Sequence, residues 1–183
     1  IYITNPETGI AHGHNGWPCD VVALHPTEES LRQALKTGPY GRCVYHCDNT
    51  VVDHQIVNML MEDGSTINFT MCAFTAKGGR YTRIMGTEGD IMADMEKNTI
   101  QINRFGEDPE IIDVSKLTDD FAGHGGGDSR MVEEFLDHLL TGQSPSIRTT
   151  TLERSIESHF AALAAEKSRK EGGRVVDLSE MRG

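Results

Sequence analysis

The side chains best suited to chemistry fall in a few short stretches. Gly123-His-Gly-Gly-Gly-Asp128 places a histidine and a carboxylate, His124 and Asp128, in a glycine-rich run just ahead of an apolar helical pattern. Backbone N–H groups at a helix start attract anions. A histidine among glycines also has room to reach a cleft and to exchange a proton near neutral pH. The run is not a Walker loop, because no Gly-Lys-Ser/Thr follows. Nor is it a dinucleotide fingerprint, since the spacing differs and no strand leads directly into it. A flexible entry loop capped by an aspartate accounts for the same residues.

Asp53-His54-Gln55 is the second candidate. Neighbours on a strand face opposite ways, so a straight strand keeps Asp53 and His54 from forming a direct dyad and turns Gln55 to the side of Asp53. His54 is the residue of the three carried forward, against the alternative of ordinary satisfied sheet polar groups. Metal chemistry has thinner support. Cys43 and Cys47 share a strand face with His46 opposite, and a Cys-x3-Cys pair alone is a poor zinc signature. His12-x-His14 offers two more ligands, but no third lies at a recognisable offset. A Gly-x-Ser-x-Gly nucleophile elbow is absent.

These residues need elements to position them. Residues 1–26 show little periodicity and read as an irregular arm. Thr27 then caps a short helix whose first turn holds Glu28 and Glu29, with Leu31 and Leu35 one turn apart and Gly38-Pro39 as the stop. From Cys43 the period shortens. The segments 43–49 and 50–61 read as strand material, ending at the turn Glu62-Asp-Gly64, and residues 65–75 alternate cleanly. There Ile67, Phe69, Met71 and Ala73 fall on one face and Thr66, Asn68, Thr70 and Cys72 on the other. Arg80–Met92 follows as strand, Gly-Thr-Glu-Gly turn and strand; Asn98–Arg104 and Glu110–Val114 add two more. Short links imply an antiparallel or mixed sheet, because parallel pairs need long crossovers. Helices come late. One starts at Asp128 or Ser129 with Met131, Val132, Phe135, Leu136, Leu139 and Leu140 as its apolar stripe. Another runs from about Thr150 to Lys170, stopped by Gly172-Gly173, with Val175–Leu178 as a final short strand. The fold class is therefore α+β: an open, mostly antiparallel (mixed) sheet with helices packed on one face. Residues 1–38 form the arm and its helix, and residues 39–183 the main domain.

Composition narrows the partners. The chain has 183 residues, with Lys plus Arg 17 against Asp plus Glu 28, for a formal net charge of −11. Such a surface repels phosphate backbones and anionic lipid, so neither nucleic acid nor membrane is the expected partner. No apolar run approaches the ~20 residues that span a bilayer. No secretory signal opens the chain, and its four cysteines read as reduced thiols of a cytoplasmic protein. The start at Ile1, without an initiator Met, suggests a domain taken from a longer protein.

Several stretches together resemble one family. Arg80-x-x-x-Ile84-Met-Gly-Thr-Glu-Gly-Asp-Ile91 looks like the hairpin in the C-terminal domains of the glucose–fructose oxidoreductase, inositol dehydrogenase and rhizopine catabolism (Gfo/Idh/MocA) family. Tyr40-Gly-Arg-Cys-Val-Tyr45, Asp48-Asn49 and Val52-Asp-His-Gln55 resemble its strand entry. Gly123–Asp128 with Phe135 resembles its loop and helix, and the helix ending Ala165-Glu-Lys-Ser168 its closing helix. The likeness covers about Pro39 to Leu178. It implies the substrate and oligomerisation domain of a two-domain oxidoreductase acting on a sugar, cyclitol or related polyol. NAD or NADP would be held by a Rossmann domain that this chain lacks. The Glu-Lys-Pro lysine and the His-x-x-Asp helix of the family are also missing, so the chain alone should bind no cofactor and transfer no hydride. A parent that is an NAD-dependent glycosidase fits the same resemblance. Carried over by position, His124 and Asp128 lie on the substrate-side loop, with His54 behind them, and the open sheet face implies a homodimer or larger. Two other readings stand beside this one: a non-catalytic dimerising module, and a small metalloenzyme using His12 and His14.

Overall fold

The computed structural model describes residues 1–117, 122–142 and 151–182. The chain divides into two compact units, Ile1–Val52 and Asp53–Gly183.

The first unit is built on helices. A 3-10 turn at Ile10–His12 precedes α1 (Cys19–Val22) and α2 (Glu28–Thr37). Thr27 caps α2 as its sequence predicts: its hydroxyl accepts from the Ser30 amide at 3.1 Å, and Ser30 Oγ accepts from the Thr27 amide at 2.9 Å. This reciprocal box satisfies two donors that a helix start would otherwise leave open. Leu31 and Cys19 are both fully buried. The Cys19 thiol lies 3.3 Å from the Tyr2 carbonyl and 3.2 Å from that of Thr8, so the arm has a small core of its own. The strand expected at 43–49 is absent; the segment forms turns and irregular backbone. The Arg42 guanidinium reaches Asp48 at 2.5 Å and the His46 amide bonds the Cys43 carbonyl at 3.2 Å. Both close the backbone on itself, which a strand would forbid.

The second unit carries two sheets where the strand pattern predicts one. In the first, β1 (His54–Leu60) pairs antiparallel with β2 (Thr66–Cys72). In the second, β3 (Tyr81–Met85), β4 (Gly89–Asp94), β5 (Thr99–Arg104) and β6 (Glu110–Asp113) form an antiparallel meander in sequence order. The register pairs Ile84 with Ile91, Ile91 with Ile102 and Ile100 with Ile112. One face of the meander is thus rich in isoleucine. The opposite face mixes Arg83, Asp90, Asp94, Gln101, Asn103 and Asp113 with the exposed apolar side chains of Tyr81, Met85, Met92 and Ile111. Every pairing among the described residues is antiparallel, so these strands contribute no parallel, mixed character.

Gly86 and Gly89 shape the β3–β4 hairpin, with the Gly86 amide bonded to the Gly89 carbonyl at 2.8 Å. Gly89 also meets β5 closely: a Cβ there would lie 2.0 Å from the Asn103 carbonyl oxygen. Only glycine permits that approach.

Two helices complete the unit, α3 (Ala122–Thr141) and α4 (Leu152–Lys170). They do not pack on a sheet face as the apolar stripes lead one to expect. Ile84 is 58% exposed, Phe135 50% and Leu139 63%, so the β3 edge of the isoleucine face and the α3 stripe are exposed, while Ile100, Ile102 and Ile112 are half-buried. Among the described residues of this unit, Ala164 is the one buried hydrophobic side chain. α4 keeps its predicted bounds, with Thr151 as N-cap and the Gly173 amide bonded to the Ser168 carbonyl at 2.7 Å past its end. The strand expected at Val175–Leu178 is absent; irregular backbone leads there into a 3-10 turn at Leu178–Met181. Glu180 in that turn binds Lys167 at 2.8 Å and Arg174 at 2.9 Å, so ion pairs rather than a ladder fasten the tail to α4.

Candidate functional site

The sequence predicts that Asp128 or Ser129 caps a helix entered from a loop. Instead the helix already runs from Ala122, and its first turns contain a left-handed stretch. His124, Gly125 and Gly126 have φ of 41°, 67° and 74°. Glycine accepts this conformation freely. A histidine there is uncommon, though it tolerates it better than most residues. The turn is held from below, since Arg130 donates to the Gly125 carbonyl at 2.7 Å.

That turn brings His124 and Asp128 together, with Nδ1 2.8 Å from Oδ2. A carboxylate only accepts hydrogen bonds, so Nδ1 is the donor and Nε2 remains available as an acceptor. Both side chains are exposed, His124 at 85% and Asp128 at 64%. The arrangement orients an imidazole and offers its free nitrogen to a hydroxyl hydrogen, which is general-base geometry without an enclosing cleft.

His54 opens β1, and its structure corrects the sequence reading. Its Nδ1 lies 2.5 Å from Asp53 Oδ1, a direct pair that strand alternation would forbid. The reason is positional: β1 begins at His54, so Asp53 precedes the pleat and its side chain turns alongside. The Asp53 carbonyl still accepts from the Ala73 amide at 2.7 Å, which makes 53 and 73 a hydrogen-bonded pair. The next pair, His54 and Cys72, is then a non-hydrogen-bonded one, in which side chains approach most closely. On the same face, Asn68 donates to Asn58 at 2.8 Å and Thr70 to Asn68 at 3.3 Å. The face is therefore mixed: the polar row of β2 with Asn58 lies beside Ile56 and Leu60 of β1, 70% and 77% exposed, and an Asp–His pair stands at one end. The two histidines serve separate pairs: His54 bonds Asp53, and His124 bonds Asp128.

Sequence reasoning named His124, Asp128 and His54 as candidates but did not anticipate the Asp53–His54 pair or the bond from Arg130 to the Gly125 carbonyl. Asp53 is hidden by an assumed strand start that comes too early. Arg130 carries no signal, because its partner is a backbone carbonyl.

His14 Nε2 is 3.0 Å from the Pro6 carbonyl and serves the fold of the arm. Among the described residues no three of His, Cys, Asp and Glu gather as a metal site, and all four cysteines are free thiols. No helix there is long and apolar enough to cross a membrane. A shallow concavity runs along one side of α2 between Glu28, Glu29, Arg32, Gln33 and Lys36, and none of the candidate residues lines it. Compared with family models, curated proteins and solved structures, the chain matches none.

Proposed function

We propose that this chain is the substrate and oligomerisation domain of an NAD(P)-dependent oxidoreductase of the Gfo/Idh/MocA type, acting in the cytoplasm on a sugar, cyclitol or related polyol. In this reading the cofactor sits in a companion Rossmann domain, and the chain alone transfers no hydride. The observation that carries it is the antiparallel meander built on the Gly86–Gly89 hairpin, with Ile84 exposed on one face and Tyr81, Met85 and Ile111 exposed on the other. The resemblance marks that same hairpin. The site chemistry agrees in kind. Asn58, Asn68 and Thr70 are neutral groups that can donate and accept, as ligand hydroxyls do, whereas a phosphorylated ligand calls for cations. The His124–Asp128 pair supplies an oriented base for a hydroxyl proton.

The test is to read the coding sequence upstream and to assay the joined protein. A strand–helix unit with Gly-x-Gly-x-x-Gly should precede Ile1, and the joined protein should oxidise a polyol with NAD or NADP. His124→Ala and Asp128→Asn should then raise KM or lower kcat without changing cofactor affinity. An upstream sequence lacking that unit would overturn the proposal. The exposed sheet faces also favour a second reading, a dimerising module with no catalytic role, which predicts self-association and no polyol turnover in any joined form.

A further inference from the structure

The first unit contains a stretch whose chemistry needs no partner. Asn15 is the one asparagine in the chain followed by glycine. Both residues lie in irregular backbone and are exposed. Other asparagines are differently placed. Asn5 Oδ1 accepts the Glu7 amide at 2.9 Å and the Thr8 amide at 3.1 Å. Asn49 is tied to Val51 through both side-chain atoms, and Asn58 and Asn68 bond one another at 2.8 Å. Asn15 makes no side-chain hydrogen bond among the described residues, and the Gly16 amide donates none. The Gly16 carbonyl, by contrast, accepts from the Cys19 amide at 2.8 Å and the Asp20 amide at 3.3 Å.

We infer that Asn15 is a self-modification site, converting by deamidation to aspartate and isoaspartate. The Gly16 amide nitrogen, losing its proton to solvent, attacks the Asn15 side-chain carbonyl carbon. The C–N bond to the side-chain amide breaks and leaves as ammonia, which gives a five-membered succinimide. One water then opens the ring. Attack at the former side-chain carbonyl leaves an ordinary aspartate with its backbone restored, and attack at the main-chain carbonyl routes the backbone through the side chain as isoaspartate. The balance is one water in and one ammonia out, with no oxidant or reductant. Glycine suits the attack because no Cβ shields its nitrogen. An amide already engaged in a backbone hydrogen bond would have to break it first.

The position gives the change a consequence. Each conversion adds one negative charge to a chain already at −11. The isoaspartate form also inserts an extra backbone carbon immediately before Gly16, whose carbonyl holds the first turn of α1, and before buried Pro18 and Cys19. Trp17, the sole tryptophan, stands between them at 77% exposure and reports on the anchor.

The experiment ages the full chain in mildly alkaline buffer and follows each asparagine by peptide mass mapping, with enzymatic methylation to mark isoaspartate. Asn15 should convert several-fold faster than Asn5, Asn49, Asn58 and Asn68, and its isoaspartate form should shift Trp17 emission. Gly16→Ala should slow conversion several-fold while leaving the fold intact, since a Cβ at Gly16 meets nothing within 4 Å. The denatured chain gives the rate set by sequence alone. Folded Asn15 converting far slower than the denatured chain, or at the rate of the other asparagines, would overturn the inference. So would a Gly16→Ala chain that ages as fast as the original.

Discussion

The two units solve the problem of burial differently. The first, Ile1–Val52, closes around Leu31 and Cys19, both fully buried. The second, Asp53–Gly183, has more regular structure and more apolar side chains, yet buries only Ala164 among its described hydrophobics. Its ladders satisfy the backbone, but the α3 stripe, Ile84 and Ile111 stay exposed. An isolated two-stranded hairpin such as β1–β2 is marginal in water, and a meander whose faces are at best half-buried keeps only part of the hydrophobic term that stabilises a sheet. The difference teaches that hydrogen-bonded regularity and burial are separate properties: the first unit fully buries Leu31 and Cys19 with little regular structure.

The largest effect should fall in the first unit. Leu31→Ala removes its main buried side chain and should cost about 2–5 kcal/mol, seen as loss of the α2 signal in denaturant titration. The matching change in the meander, Ile84→Ala at a side chain 58% exposed, should cost much less. Equal losses would erase the contrast. Next comes Gly89→Ala, where the added Cβ meets the Asn103 carbonyl at 2.0 Å. Forced movement of backbone should cost about 1–3 kcal/mol and appear as exchange broadening along β4 and β5. Thr27→Ala deletes one half of the α2 capping box and should cost about 1 kcal/mol, measurable by the same titration.

The smallest effect concerns the tail. Arg169 and then Lys170 hold the Glu166 carboxyl at about 2, and Arg174 with Lys167 pulls that of Glu180 well below the usual range. A depressed carboxyl contributes fully above its unfolded value, about 4.3, and the contribution is lost as pH falls through the folded value. The Glu166 pairs lie within α4, so the tail follows Glu180: it should stay fastened at pH near 4 and loosen only well below that, as the Glu180 carboxyl protonates, read as acid-dependent amide exchange over residues 171–182. Glu180→Gln should loosen it at neutral pH, with the Arg182–Glu157 pair still in place. Both effects should weaken with salt, because the pairs are exposed.

How far the sequence showed all this follows from the range of each signal. Thr27, Leu31, the Gly86–Gly89 turn and the span of α4 were legible because capping, turn chemistry and periodicity act over a few residues. The strand expected at 43–49 failed because the Arg42–Asp48 pair, six positions apart, closes the segment into turns. Val175–Leu178 failed because Glu180 recruits Lys167 and Arg174 instead of a neighbouring strand. The site was half legible. His124, Asp128 and His54 were marked by residue type, but the His124–Asp128 pair depends on a left-handed turn inside a helix. The Asp53–His54 pair depends on a strand starting later than periodicity suggested. The division into two sheets was not legible at all, since alternation says which face a residue takes and not which strand lies beside it.

The central claim is that the second unit's sheet faces are finished by another surface, as an oligomerisation domain requires. Amide hydrogen exchange of the whole chain across a wide range of protein concentration tests it most directly. The account predicts that the amides of α2 are protected to the same degree at every concentration, while those of β3 to β6 gain protection as the chain self-associates. Strong protection of β3 to β6 in a strict monomer, unchanged by concentration, would contradict it.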